Sequence, residues 1–160
     1  MEYDYLNDQK IEELIKIPKT IINPDAKARL KGKHEELNYD LIGENNNKFR
    51  LYIRQNTMEG LEDDFSCGLS LRLSDGDYMT LIRCNGSSHT HQNIIEKTKI
   101  GYDFHIHKAT ETYIYNQKKV DGFAEKTDKY TTKNDALIYL IQNCNITGLD
   151  IFPEQKGLFE

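Results

Sequence analysis

Four of the five histidines in this chain stand in two H-x-H pairs, His89-Thr90-His91 and His105-Ile106-His107. Imidazole titrates near neutrality, so two positioned rings can divide acid and base roles, one taking a proton while the other gives one. Cleavage of a phosphodiester by a neighbouring 2′-hydroxyl needs such a pair and a cation for the charge that develops on the phosphate oxygens, and it needs no metal. His89, His91, His105 and His107 are therefore the candidate catalytic residues, with Arg83 the guanidinium nearest to them along the chain. Arg50, Arg54 and Arg72 are expected on the polar face of a sheet as phosphate-binding residues, and Tyr113 as a ring on which a base could stack.

The same rings suit a second chemistry, since three histidines with an open position make a catalytic zinc site and four make a closed one. No H-x-H-x-D-H or H-E-x-x-H run accompanies them, because Gln92 and Asn93 follow His91. Glu96 lies at a spacing from His91 faintly similar to a first cupin motif, but Gly86 is too close to His89 and no second motif follows. The expected site therefore works without a metal or cofactor, and a zinc-binding protein formed by the same rings is kept as a further alternative. A third reading leaves the histidines as hydrogen-bonding residues on the wet side of a sheet.

The elements that must position these residues follow from periodicity. Asn7 or Asp8 can cap a short helix with Ile11, Leu14 and Ile15 on one side, which Pro18 stops. From Glu35 the period changes to two. Leu37, Tyr39 and Leu41 alternate with polar residues, Gly43 to Lys48 forms a loop, and Phe49, Leu51 and Ile53 alternate with Arg50, Tyr52 and Arg54. Phe65 to Leu73 is the clearest strand, and Asp75-Gly76 turns it into a returning strand from Tyr78 to Cys84. In that strand Arg83 shares the alternation class of Met79 and Leu81, which leaves its direction open. A fifth strand is expected at Gly101 to His107, with His105 and His107 on the side opposite Phe104 and Ile106. A helix follows, and a last helix begins near Thr132 with Leu137, Leu140, Ile141 and Cys144 at helical spacing. Strands and helices are segregated, so the expected fold class is α+β: an antiparallel sheet of about five strands with helices on one face.

The chain's 160 residues suit a single domain over 1–160, with 38% apolar residues enough for a core. A net charge of −5 disfavours a general nucleic-acid coat. The longest apolar run, Ala136 to Ile141, is far too short to span a membrane, and the acidic start at Met1 to Asp4 does not read as a signal peptide, so a cytoplasmic protein is expected. Cys67, Cys84 and Cys144 show no metal or redox spacing and are expected to be buried free thiols. Lys27, Arg29, Lys31 and Lys33 alternate as an edge strand would, although four cations in a row could also track a phosphate backbone. Thr110 and Glu111 suit either a helix cap or a partner for an imidazole.

The runs Leu81-Ile82-Arg83-Cys84-Asn85-Gly86, Phe104-His105-Ile106-His107-Lys108-Ala109-Thr110, Asp121-Gly122-Phe123-Ala124 and Asn143-Cys144-Asn145-Ile146 resemble a family of small bacterial proteins, often prophage-associated, with no assigned function, over roughly the second half of the chain. The resemblance implies a mobile-element setting and carries no catalytic assignment. Two function classes follow. One is an enzyme of toxin or defence type acting on RNA or a nucleotide phosphodiester. The other is an inhibitor of the anti-CRISPR or another anti-defence kind, whose acidic Glu59, Glu62, Asp63 and Asp64 would bind a host defence or toxin protein.

Overall fold

A computed structural model describes residues 6–149; the expectation for the N-terminal segment Met1 to Asp4 lies outside them. Helix α1 (Asp8–Lys16) starts where the Asn7 side chain accepts a hydrogen bond from the backbone N–H of Lys10, and it buries Ile11, Leu14 and Ile15. Strands β1 (Lys19–Ile21), β2 (Arg29–Lys31), β3 (His34–Gly43), β4 (Lys48–Asn56), β5 (Phe65–Arg72) and β6 (Tyr78–Asn85) follow. After β7 (His91–Asn93), β8 (Thr98–Ile100) and β9 (His105–Lys108) come the short helix α2 (Glu111–Tyr115), β10 (Phe123–Lys126), α3 (Lys133–Asn143) and β11 (Ile146–Thr147).

Among the described residues the main sheet has nine strands in the order β10-β9-β6-β5-β4-β3-β1-β11, with β2 also paired to β3. The class is α+β with a mostly antiparallel sheet, as expected, but the expected five strands are too few, and the β1–β11 pair is parallel. The missed strands β1, β10 and β11 are two to four residues long, too short to display a period of two. The cationic row does form an edge at Arg29–Lys31. β7 and β8 make a separate two-stranded sheet.

The apolar face carries Leu41, Phe49, Leu51, Ile53, Cys67, Leu69 and Cys84, all buried, with α3 packed over β5 and β6 and α1 over β6. Cys67, Cys84 and Cys144 are free and buried, and burial pushes the Cys67 thiol up to about 12. The expected N-cap of the last helix is present, with the Thr132 hydroxyl accepting from the N–H of Asp135.

One irregularity decides the direction of Arg83. Ser70 pairs with Thr80 but Leu69 pairs with Ile82, so Leu81 is an extra residue in β6. A bulge of this kind shifts alternation by one place. Met79 faces the apolar core with Leu71, whereas beyond the bulge Ile82 takes the core side and Arg83 turns to the opposite face across from Gly68.

Candidate functional site

On that opposite face, register aligns Tyr52, Gly68, Arg83, His107 and Ala124 in one row across five strands, and Ser66, Asn85, His105 and Lys126 in the next. His105 and His107 thus stand two residues apart on one side of β9, as alternation requires. The loop after β6 brings the first pair back over them. Gly86 lies tight against Asp63, where a Cβ would collide with the Asp63 carbonyl oxygen. The hydroxyls of Ser87 and Ser88 reach the carboxylates of Asp63 (3.2 Å) and Asp64 (3.3 Å). Burial raises the Asp64 pKa, but hydrogen bonds from Asn56, Ser88 and His34 outweigh it and hold the carboxyl below its ordinary value. Two of the four acidic residues expected to form an inhibitory patch therefore anchor the loop that carries His89.

The β7–β8 hairpin then closes over the face. Asn93 is buried and acts as a substitute strand, its Oδ1 accepting from Ala124 N (2.8 Å) and its Nδ2 donating to Ala124 O (2.9 Å). At the hairpin turn the hydroxyl of Tyr113 donates to Glu96 Oε1 at 2.7 Å. The sheet face read from the sequence as wet is covered here, because a three-residue strand with one asparagine supplies its lid.

The four rings meet. Ring centroids lie 5.1 Å apart for His89 and His105, 5.1 Å for His105 and His107, 4.6 Å for His91 and His107, and 6.0 Å for His91 and His105. Their hydrogen bonds define the tautomers. His105 Nδ1 faces the Asp103 carbonyl at 2.8 Å and His107 Nδ1 faces the Asp121 carbonyl at 2.9 Å, so in both rings Nδ1 carries the proton and Nε2 the lone pair. In His91 the proton sits on Nε2, which lies 2.8 Å from the Gly122 carbonyl and 3.1 Å from Asn93 Oδ1. Among the described residues His105 Nε2 is buried and has no hydrogen-bond partner. His89 is exposed and rests edge-on against His105.

Burial and neighbouring charge keep the inner rings neutral. Burial lowers the His107 pKa most, Arg83, His105 and His91 lower it further, and the result is about 2. His105 is lowered from the same main cause, with smaller contributions from His89, His91 and Arg83 against the hydrogen bond to Asp103. Arg83 is mostly buried, with Nη2 3.5 Å from Asp121 Oδ2. Tyr130 braces the pocket from behind, its hydroxyl 2.8 Å from Asn85 O and 3.0 Å from His105 O.

Of the expected site residues, His89, His91, His105, His107 and Arg83 come together and the others do not. Arg50 lies in another row, 3.8 Å from Asp40 and stacked on Tyr78. Arg54 pairs with Glu36 at 3.7 Å. Arg72 borders a separate surface cavity with Tyr78 and Lys48. Tyr113 is fully buried, packed on Phe123 and Gly122, so its ring has no free face for a base. Thr110 caps α2 and Glu111 opens it, and neither is bonded to an imidazole. Asn93, Asp103, Asp121 and Gly122 were not singled out as parts of the site. Three of them act through backbone carbonyls, which no side-chain motif displays, although Asp121-Gly122 lies within a run that carried the resemblance.

Among the described residues no group of three or more His, Cys, Asp and Glu side chains is disposed to hold a metal ion, and no helix is long and apolar enough to cross a membrane. Residues 6–147 match a family described as being of unknown function (DUF6978), and the chain belongs to it. That match extends over most of the chain, where the resemblance covered only its second half. No curated protein and no solved structure matches the chain.

Proposed function

Since membership in a family of unknown function leaves the chemistry to the site itself, we propose that the histidine pocket is the active site of a metal-independent ribonuclease or related phosphodiesterase. The observation that carries this reading is the unpaired, buried lone pair on His105 Nε2 at the centre of four imidazoles. A buried polar atom without a partner is rare in a folded chain and calls for an explanation. In this reading a substrate 2′-hydroxyl supplies the missing partner.

The exposed His89 ring swings aside, a motion of picoseconds to nanoseconds for a surface side chain, and the hydroxyl donates to His105 Nε2. As the 2′-oxygen attacks phosphorus, its proton passes to His105. The 5′-oxygen leaves with a proton from His89, and the products are a 2′,3′-cyclic phosphate and a 5′-hydroxyl. Arg83 holds the phosphoryl oxygens, while His91 and His107 position the reacting rings. In the prophage setting that the resemblance implies, such an enzyme acts in the bacterial cytoplasm as a toxin or defence effector.

The test uses an oligoribonucleotide and its all-deoxy counterpart in the presence of a chelator. Wild-type protein cleaves the first and not the second. His105→Asn keeps an N–H for the Asp103 carbonyl yet removes the base, and it lowers the rate by about 100-fold or more. Cleavage that survives in His105→Asn refutes the role of His105, and cleavage that appears only on adding zinc turns the site into a metal centre. If no RNA is cut, the inhibitor reading takes precedence.

A further inference from the structure

The cations that the histidine pocket does not use have a location of their own. Where β2 runs along β3, a cleft of about 470 Å³ opens, lined by Lys27, Arg29, Lys31 and Arg50. Its size falls in the range of small-molecule sites. Against these four cations stand two carboxylates, Glu36 and Asp40, in a chain whose net charge is −5. Glu36 is shared between Lys31 (3.4 Å) and Arg54 (3.7 Å), and Asp40 lies 3.8 Å from Arg50. Among the described residues Lys27 and Arg29 have no carboxylate within ion-pair distance.

Arg50 gives the cleft a fixed element. Its guanidinium stacks 4.1 Å from the Tyr78 ring centroid, and its Nε is buried with no hydrogen-bond partner among the described residues. On the adjacent strand Oδ1 of Asn38, a second lining residue, is also buried and unpartnered. Both atoms are covered in the free chain, and once the side chains over them are displaced a spare donor and a spare acceptor in a basic cleft suit a ligand that is anionic and also carries a hydroxyl. A phosphate ester beside a ribose hydroxyl meets both conditions, the phosphate accepting from Arg50 and the lysines and the hydroxyl donating to Asn38.

We propose that this cleft binds the phosphate ester of a ribonucleotide, either free or within an RNA strand. The binding does not depend on chemistry at the histidines. The two places nevertheless share one sheet face, and β4 is three strands from β9, about 14 Å at the usual strand spacing. A strand seated in the cleft would point its neighbouring nucleotides across that face.

Calorimetric titration of the full chain with 5′-AMP, with a short oligoribonucleotide and with its deoxy counterpart tests the proposal. Saturable binding of 5′-AMP or the oligoribonucleotide is expected, tighter than that of the deoxy strand. Arg50→Met should weaken it at least 10-fold, and Lys27→Gln with Arg29→Gln, both exposed and outside the core, by a smaller factor. His105→Asn should leave 5′-AMP binding unchanged, so that loss of RNA cleavage with 5′-AMP binding intact separates this cleft from the histidine reading. Tighter binding of the oligomer than of 5′-AMP identifies a strand as the ligand, and the reverse a free nucleotide. No saturable binding at millimolar ligand, or equal binding by wild type and the Lys27→Gln, Arg29→Gln variant, overturns the proposal.

Discussion

Acid should destabilise the fold through His107, by an amount the pocket itself determines. The ring is 3% exposed, its Nδ1–H donates to the Asp121 carbonyl, and burial with three neighbouring cationic or titratable groups pushes its pKa to about 2. In the unfolded chain the same ring titrates near 6.5. Between those values the unfolded state binds one more proton than the folded state, so stability is lost as pH falls below about 6.5, at up to about 1.4 kcal/mol per pH unit. From pH 7.5 to pH 5 the loss from this residue comes to about 2 kcal/mol, or roughly 4–8 °C in Tm for a chain of this size. His105, whose pKa is also lowered, adds to the loss in the same direction.

His107→Asn keeps an N–H near the Asp121 carbonyl but cannot take up a proton. It should be less stable than wild type at pH 7.5, and the gap between the two should close by about 2 kcal/mol at pH 5. Urea unfolding midpoints at half-unit pH steps measure that gap directly. Parallel curves for wild type and variant across this range would refute the reasoning, because they would mean that His107 is already able to protonate in the folded state.

Two further outcomes concern the framework. Lys19 Nζ is buried and donates to the carbonyls of Ile15 (2.7 Å), Ile17 (2.8 Å) and Cys144 (3.0 Å), joining the ends of α1 and α3, so Lys19→Met should cost about 3 kcal/mol in equilibrium unfolding by stranding those acceptors. Gly68 lies beneath the Tyr52 ring, which a Cβ there would strike, so Gly68→Ala should cost about 1–3 kcal/mol, and adding Tyr52→Leu should recover part of that loss.

The long elements were legible because each has a strong local cause. α1 and α3 carry their caps and their apolar spacing in the sequence, and β3 to β6 carry alternation and an Asp75-Gly76 turn. The short strands were not, since two to four residues hold no period and their pairing is decided by what lies beside them. β11, for example, pairs with β1 from 127 positions away, through Lys19 and Ile146. Arg83 was ambiguous for a different reason. Its side depends on the Leu81 bulge, which arises from the register between two strands and leaves no mark on one strand alone.

The histidine cluster shows where a reading of patterns stops short. Alternation correctly set His105 and His107 opposite Phe104 and Ile106, and polarity suggested that this side faces water. In the folded chain it faces a hairpin, held down by one asparagine that completes the hydrogen bonding of Ala124. That closure reverses the expected chemistry of the inner rings. An imidazole in water exchanges its proton at about pH 6.5, whereas beneath the lid His107 is a neutral ring, and His105 is a neutral ring with one lone pair unused. In the proposed mechanism proton donation therefore falls to the ring left outside, His89. The contrast between the exposed His89 and the covered His105, which touch edge to face, is what the proposed division into donor and acceptor rests on.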